Sequence, residues 1–177
     1  QLEAGVSLYP ISFVELFSSV AWTNRYYDTK PFDCDLYQCQ GTVQRQKLGA
    51  RMALQFDSAV GAILLVPTYQ QTHLEGENKK TIVDEEEVLL AHSDWDVLTS
   101  QSLFAGLKWE HQTTGLYYKQ SQFQRSASRN QSEYLIHQFK YLNPKLERPF
   151  DVVIGVGRYY SDYSDASFSA IAALSWR

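Results

Sequence analysis

A histidine followed two residues later by a hydroxyl side chain is the arrangement in this sequence that comes closest to a catalytic site. His111 and Thr113 belong to the segment Trp-Glu-His-Gln-Thr-Thr-Gly at residues 109–115. Side chains two apart on a strand share a face, so the imidazole can approach the hydroxyl and activate it as a nucleophile. The alternative interpretation is a tight turn that carries a histidine near a membrane interface.

This segment resembles the outer-membrane phospholipase A family, which carries His, any residue, Ser, Asn and Gly at a strand end. The resemblance covers residues 106–134 and implies that His111 is the general base and that Thr113 takes the place of the nucleophilic serine. It also implies that Asn130 or Gln131 supplies the amide that orients the imidazole. An acyl hydrolase of this type would use calcium. Threonine in place of serine adds a methyl group and restricts the rotamer of the nucleophile.

Alternation of apolar and polar residues in segments of about ten residues is the dominant pattern of the chain. Leu48, Ala50, Met52, Leu54 and Phe56 fall on one face of such a segment, opposite a face that carries Gly49 and Arg51. The same alternation recurs in residues 2–9, 14–23, 103–110, 150–157 and 168–177. The pattern predicts β-strands, each with one apolar face and one polar face.

Alternation by itself does not separate a membrane barrel from a soluble sandwich. Three further features favour the barrel: glycine beside charges on the polar faces, tyrosine pairs at segment ends, and a final alternating segment that stops on Trp176 and Arg177. That last segment resembles the C-terminal strand of bacterial outer-membrane barrels. The predicted fold is therefore all-β, an antiparallel up-and-down transmembrane β-barrel of about eight to ten strands.

The connections are predicted to be short turns on one rim and long loops on the other, with residues 161–167 among the long loops. Residues 81–100 decide the strand number, because they read either as a short loop helix capped by Asp84 or as a further strand, and ten is favoured over eight. Inside the barrel we expect a network of opposite charges, formed by Glu3, Arg51, Lys108 and Glu110.

The composition of the chain argues against nucleic-acid binding, a membrane-spanning helix and a metal site. The chain has 177 residues, a net charge of -4 and no basic stripe, which argues against nucleic-acid binding. Its longest apolar run, residues 59–66, is far shorter than the roughly twenty residues of a membrane-spanning helix. No metal site is predicted, because His73, His92 and His137 show no ligand spacing.

Cys34 and Cys39 are the two cysteines, and both lie in one polar, turn-rich segment. Their spacing allows a disulfide, which would indicate an oxidising compartment such as the periplasm or cell surface. Two reduced, unrelated thiols are the alternative.

These patterns indicate a single domain over residues 1–177, either a whole protein or the barrel portion of a longer precursor. The expected function is that of an integral bacterial outer-membrane protein with a structural, partner-binding or small-solute role and without a cofactor. Membrane lipid and lipopolysaccharide are the expected partners, with another envelope protein or a second copy of the chain as further candidates. The alternatives are the phospholipase-type hydrolase at His111 and a soluble, lipocalin-like ligand carrier whose apolar side chains point inward.

Overall fold

Twelve strands and no helix make up the described part of a computed structural model of the chain, which covers residues 2–26, 36–38, 40–77, 80–84, 89–142, 149–162 and 164–176. Cys34 and Cys39 lie outside these residues, so the disulfide stays a prediction. The strands are β1 (Leu2–Ile11), β2 (Val14–Tyr26), β3 (Gln40–Met52), β4 (Leu54–Ser58), β5 (Gly61–Gly76), β6 (Ile82–Asp84), β7 (Leu89–Ala91), β8 (Trp95–Trp109), β9 (Gln112–Phe123), β10 (Arg129–Leu142), β11 (Pro149–Ser161) and β12 (Ser164–Trp176).

Ten of these strands form one antiparallel sheet in the order β1-β2-β3-β5-β8-β9-β10-β11-β12, with β4 also paired to β5. Sequential neighbours thus pair along the whole path, which confirms the predicted all-β, up-and-down architecture. The strands β1 and β12 stand at the two ends of this path, and no pairing between them occurs among the described residues. In the same residues, no helix is long and apolar enough to cross a membrane.

The tenth strand of the sheet does not come from residues 81–100. There, β6 and β7 pair with each other as a separate antiparallel hairpin, and the strand that rejoins the sheet begins only at Trp95. The sheet has a tenth strand because the alternating segment around residues 48–56 is divided at Ala53 into two strands, β3 and β4. The N–H of Ala53 donates to the carbonyl oxygen of Phe13 at 2.8 Å.

Connection lengths differ between the two ends of the sheet. Residues 12–13, 59–60 and 110–111 are two-residue turns at one end, where residues 143–148 also join β10 to β11. Residues 27–39, 77–94 and 124–128 are connections of five residues or more at the other end. The prediction of a long loop at residues 161–167 is wrong, because only residues 162–163 separate β11 from β12. Polar sequence there marks the end of the apolar face, while backbone pairing continues to Ser161 and Ser164.

The register assigns every sheet residue to one of two faces. One face, called the apolar face, carries Leu103, Leu116, Leu135 and Val156. Leu135 pairs with both Leu116 and Val156, and Leu103 pairs with Tyr118, which lies two residues from Leu116 on the same face. The opposite face, called the polar face, carries Glu15, Arg51, Gln70, Ser102, Lys119 and Ser132. Alternation in the sequence predicts this division correctly.

The apolar face is largely uncovered. Leu48, Leu116 and Val156 expose 64%, 65% and 61% of their surface, and Phe168 exposes 93%. Among the described residues, the buried apolar side chains that pack together form a small cluster at one end, made up of Val43, Leu74, Ile82, Leu89, Ala91, Leu98 and Phe123. These residues bring the β6–β7 hairpin against the polar-face ends of β3, β5, β8 and β9, and we call this unit the end cap.

Two glycines of β11 differ sharply in the space around them. A Cβ atom placed on Gly157 would lie 2.0 Å from the carbonyl oxygen of Glu133, far inside van der Waals contact. At Gly155 the nearest atom to such a Cβ, the carbonyl oxygen of Leu135, is 3.3 Å away. The backbones of β10 and β11 therefore approach each other at Gly157 more closely than any side chain allows.

Gly157→Ala is expected to lower the free energy of unfolding by about 2 kcal/mol, because overpacking forces the two strands apart. Gly155→Ala, two residues away on the same face, is the control and is expected to change it by less than about 1 kcal/mol. Urea titration followed by tryptophan fluorescence measures both. Equal effects of the two substitutions would show that the approach of the strands at Gly157 does not matter for stability.

Candidate functional site

A cavity of about 340 Å³ opens on the polar face below the end cap. Its lining comes from alternate residues of β3, β5, β8 and β9, as the two-residue period of strands requires. The lining residues are Arg51, Val66, Thr68, Gln70, Ser100, Ser102, Phe104, Tyr117 and Lys119. Two cationic groups, several neutral hydrogen-bonding groups and two aromatic rings thus surround one space, and the lining residues include no carboxylate.

Glycines allow aromatic rings to lie flat against the sheet beside this cavity. A Cβ atom on Gly106 or Gly115 would come within 2.7 Å or 2.6 Å of the Phe104 ring. On β3, a Cβ atom on Gly49 would lie 2.3 Å from the Phe17 ring. Each ring covers backbone that lacks a side chain, the arrangement by which aromatic residues stabilise glycines in sheets. Gly49 and Gly106, which alternate with Arg51 and Lys108 in the sequence, therefore accommodate aromatic rings.

A cross-strand ion pair joins Glu15 to Arg51 at the edge of the cavity, with 3.4 Å between Arg51 Nη1 and Glu15 Oε2. The hydroxyls of Ser7 and Tyr9 donate to Glu15 Oε1 at 2.9 Å and 3.2 Å. The guanidinium also lies 6.0 Å from the centre of the Phe17 ring. Arg51 thus belongs to a charged network on the polar face, and its partner is Glu15, which sequence reasoning missed because the pairing depends on the register of β2 and β3.

The other three residues predicted for this network lie elsewhere. Glu3 is opposite Ala21, Lys108 is opposite Ala62 near the end of β8, and Glu110 occupies the following turn with a φ of 49°. The structure does not gather them around the Glu15–Arg51 pair.

The residues proposed for catalysis are spread over the length of the sheet. His111 is exposed in the β8–β9 turn, and Thr113 pairs with Gln138. Asn130 pairs with Ser121 near the other end of the same two strands. Eight residues separate Asn130 from Gln138, which corresponds to about 26 Å along a strand. The structure thus does not bring Asn130 to His111 and Thr113, and activity at His111 stays a prediction.

A different histidine and threonine do meet. Thr114 Oγ1 lies 2.7 Å from His137 Nδ1 across β9 and β10, on the apolar face. The imidazole is flanked by the rings of Trp109 and Phe139, at centroid distances of 6.4 Å and 5.8 Å. The contact satisfies two polar groups among aromatic side chains. No spacing in the sequence indicates it, because the two residues are 23 positions apart.

The carboxylate of Asp96 holds the end cap together. It is fully buried and accepts backbone N–H bonds from His92 and Val97 on its own segment, at 3.0 Å and 2.8 Å. The N–H groups of Arg125 and Ser126 in the β9–β10 connection also donate to it, each at 2.9 Å. Burial acts to raise the pKa of Asp96, but these donors outweigh it, and the pKa lies below the ordinary aspartate value.

Two further contacts attach the β9–β10 connection to the end cap. The hydroxyl of Ser128 donates to the carbonyl oxygen of Leu90 at 2.7 Å, which ties it to the β6–β7 hairpin. Arg125 donates to the carbonyl oxygen of Trp95 at 2.7 Å, and its guanidinium lies 4.3 Å from the centre of the Trp95 ring. These contacts thus attach the β9–β10 connection to the segment between β5 and β8, at the end of the sheet where the end cap covers the polar face.

Comparison with protein-family models, curated proteins and solved structures finds no match for this chain. Within the described ranges, no group of three or more His, Cys, Asp or Glu side chains is arranged to hold a metal ion. The function must therefore be inferred from the two faces, the cavity and the end cap themselves.

Proposed function

We propose that the chain is an integral β-barrel protein of a bacterial outer membrane, with its apolar face toward lipid and its polar face toward an enclosed interior. The observation that carries this proposal is the exposure of large apolar side chains on one face from β1 to β12. Leu8, Leu48, Leu116 and Val156 each expose more than half of their surface.

Such a face is costly in water. Each apolar side chain that leaves water contributes about 1.5–3 kcal/mol when fully buried, and soluble monomers rarely expose contiguous apolar patches of more than a few hundred Å². A lipid bilayer removes this cost. Polar groups collect on the opposite face, where Glu15 pairs with Arg51 and the hydroxyl of Tyr134 lies 2.9 Å from that of Ser169. This is the division of side chains that a barrel requires in lipid.

The apolar face also ends where a membrane interface would begin. On β9, Leu116 is followed on the same face by Tyr118 and then Gln120. On β11, Val156 is followed by Arg158, which forms an ion pair with Glu133 at 2.8 Å. Tyrosines and paired charges beyond an apolar band are typical of the interfacial girdle of outer-membrane barrels. Lipid and lipopolysaccharide headgroups are the partners that fit this zone.

A barrel in lipid cannot leave strand edges open, because unpaired backbone groups there cost several kcal/mol each. The proposal therefore requires that the outer edges of β1 and β12 be paired in the membrane, either with each other or with a further strand. The end cap then lies at the end of the barrel that carries the longer connections.

Heat-modifiable migration tests the proposal. We expect the protein from outer-membrane fractions to migrate faster in detergent gels before boiling than after it, because folded barrels resist detergent unfolding. We also expect it to partition into detergent rather than into the aqueous phase. A monomer that stays in water without detergent and shows no shift on boiling would contradict the proposal and favour the soluble ligand carrier.

A further inference from the structure

A row of side chains crosses four strands on the apolar face, at the end of the sheet that carries the end cap. Gln44 of β3 pairs with Trp22 of β2 on one side and with Glu75 of β5 on the other. Glu75 pairs in turn with Trp95 of β8. Leu48, the exposed leucine of β3, lies four residues from Gln44, which is about 13 Å along the strand. The row therefore places two tryptophans, an amide and a carboxylate side by side, away from the middle of the apolar face.

A cavity of about 270 Å³ opens in this row. Its volume lies below the roughly 300–1,000 Å³ of sites for drug-sized ligands, so the cavity fits a group of few atoms. One aromatic ring, one amide and two carboxylates line it, and none of the described lining residues is cationic. The described lining residues are Trp22, Thr42, Gln44, Glu75, Gly76 and Glu77.

The carboxylate of Glu77 is held in position at the edge of this cavity. Its Oε2 atom accepts the N–H of Thr42 at 2.8 Å, and the N–H of Glu77 donates to the carbonyl oxygen of Thr42 at 3.3 Å. These two contacts continue the pairing of β3 and β5 past Gly76. Glu77 is exposed, and within the described part of the chain its Oε1 atom receives no hydrogen bond. One carboxylate oxygen is thus available to a ligand while the other is fixed to the backbone.

Glu75 is an exposed carboxylate that forms no ion pair with the described residues. The alternation of β3 directs Arg45 to the polar face, on the other side of the sheet from the cavity. Arg125 stacks on the ring of Trp95 at 4.3 Å and donates to the carbonyl oxygen of that residue at 2.7 Å. The carboxylates of Glu75 and Glu77 therefore give the cavity a negative potential that a positively charged ligand can offset.

The indole ring of Trp22 lines the cavity from β2 and exposes 40% of its surface. The face of a tryptophan ring attracts a cation through its quadrupole. Gln44, which pairs with Trp22, supplies an amide oxygen. An aromatic face, two carboxylates and a neutral acceptor together suit an ammonium ion, because they offset its charge and can accept its N–H donors.

We propose that this cavity binds a small organic cation through its ammonium group. The carboxylates of Glu75 and Glu77 offset the positive charge, and the Trp22 ring covers the carbon atoms next to it. An anion is repelled by the same two carboxylates. The ammonium group can belong to a free amine or to the headgroup of a lipid, since both present the same chemistry. The proposal does not rest on the membrane assignment, because the cavity is formed by contacts within the chain.

Isothermal titration calorimetry of the full chain, folded in uncharged detergent micelles at low salt, tests this site with ethanolamine and choline as probes. We expect saturable binding of at least one probe and none of ethylene glycol, which replaces the ammonium of ethanolamine by a hydroxyl. Glu75→Gln is expected to weaken binding about fivefold, because it removes one partner of an exposed ion pair. Trp22→Leu is expected to weaken it about threefold, because the cation–π contact is lost.

Asp57→Asn and Trp109→Leu are the matched controls, since both residues lie at the opposite end of the sheet. Each is expected to change binding by less than about 1.5-fold. Circular dichroism establishes that every variant is folded. Glu77→Gln is a second variant of the site that keeps an amide oxygen for the N–H of Thr42, and it is expected to weaken binding about threefold.

The two probes also separate the kinds of ligand. Binding of ethanolamine alone identifies a primary ammonium as the ligand group, and binding of choline alone identifies a quaternary one. Displacement of the bound probe by stoichiometric phosphatidylethanolamine in the micelles identifies a lipid headgroup as the source, and lack of displacement identifies a free amine. Absence of saturable binding for both probes, equal binding of ethylene glycol, or an equal loss in Asp57→Asn would overturn the proposal. Failure of the membrane assignment would appear in partitioning and leave this titration unchanged.

Discussion

Asp96→Ala is expected to open the end cap and to lower the free energy of unfolding by about 3 kcal/mol or more. The substitution leaves four backbone N–H donors of residues 92, 97, 125 and 126 without their acceptor. A buried donor without a partner costs about 1–3 kcal/mol, and water that enters the opened cap recovers only part of this. Hydrogen exchange of the amides in residues 89–98 and 123–130 would rise first, because the loss is local.

Asp57→Ala is the matched control. Asp57 is an exposed carboxylate on β4, at the opposite end of the sheet, with a long contact of 3.4 Å to the amide of Gln55. Its removal is expected to change stability by less than about 0.5 kcal/mol. Unchanged exchange in the Asp96 variant would show that the four hydrogen bonds do not hold the cap.

The carboxylate of Asp96 makes the stability of the end cap depend on pH in a defined direction. Because its pKa is lower in the folded protein than in the unfolded chain, its ionised form stabilises the fold above about pH 4, the ordinary aspartate range. That contribution is lost as the pH falls toward and through the lowered pKa. Asp96→Asn removes this titration, so its stability relative to the parent protein should improve as the solution is acidified. A constant difference between pH 6 and pH 3 would contradict the assignment.

Leu116→Lys is expected to destabilise the folded, lipid-inserted protein by about 2–4 kcal/mol, because it places a charge in the middle of the apolar face. Leu116 is 65% exposed in the sheet, so the lysine would meet no steric obstacle. In a water-soluble protein a lysine at such a site changes stability by less than about 0.5 kcal/mol. The size of the effect therefore reports the medium that surrounds the side chain.

Gln120→Lys supplies the control, since Gln120 lies on the same strand and face, beyond Tyr118. There a lysine is expected to cost about 0–1 kcal/mol, as near a membrane interface. Guanidinium titrations of both variants in lipid vesicles measure the difference. Equal stabilities for the two variants would argue that Leu116 does not face hydrocarbon.

Strands with one apolar face were recognisable from the sequence, but their ends were not. The alternation around Leu103 and Leu107 marks β8 as a strand, and yet β8 begins at Trp95, eight residues before Leu103. In β5, apolar side chains on both faces near Ala62 obscure the alternation, although Gly61–Gly76 is the longest strand of the sheet. Backbone pairing continues into polar sequence, so a change in hydropathy marks the end of the apolar face and not the end of the strand.

The side-chain contacts depended on register. Glu15 and Arg51 meet because β2 and β3 pair them directly, and a slip by one residue would place them on different faces. Thr114 and His137 meet for the same reason across β9 and β10. A spacing along the chain cannot specify which residues lie opposite each other on neighbouring strands. Sequence reasoning therefore selected His111 and Thr113, which are close in sequence, and missed the contact between Thr114 and His137.

The sequence by itself determined that this chain forms an antiparallel up-and-down sheet with one apolar and one polar face, because alternation with period two is a local property of each strand. The tertiary structure decided where the charges meet, that Asp96 fastens the end cap, and that Arg51 and Lys119 line one cavity. Those outcomes depend on the order and register of strands that are distant in sequence, and only the folded sheet brings them together.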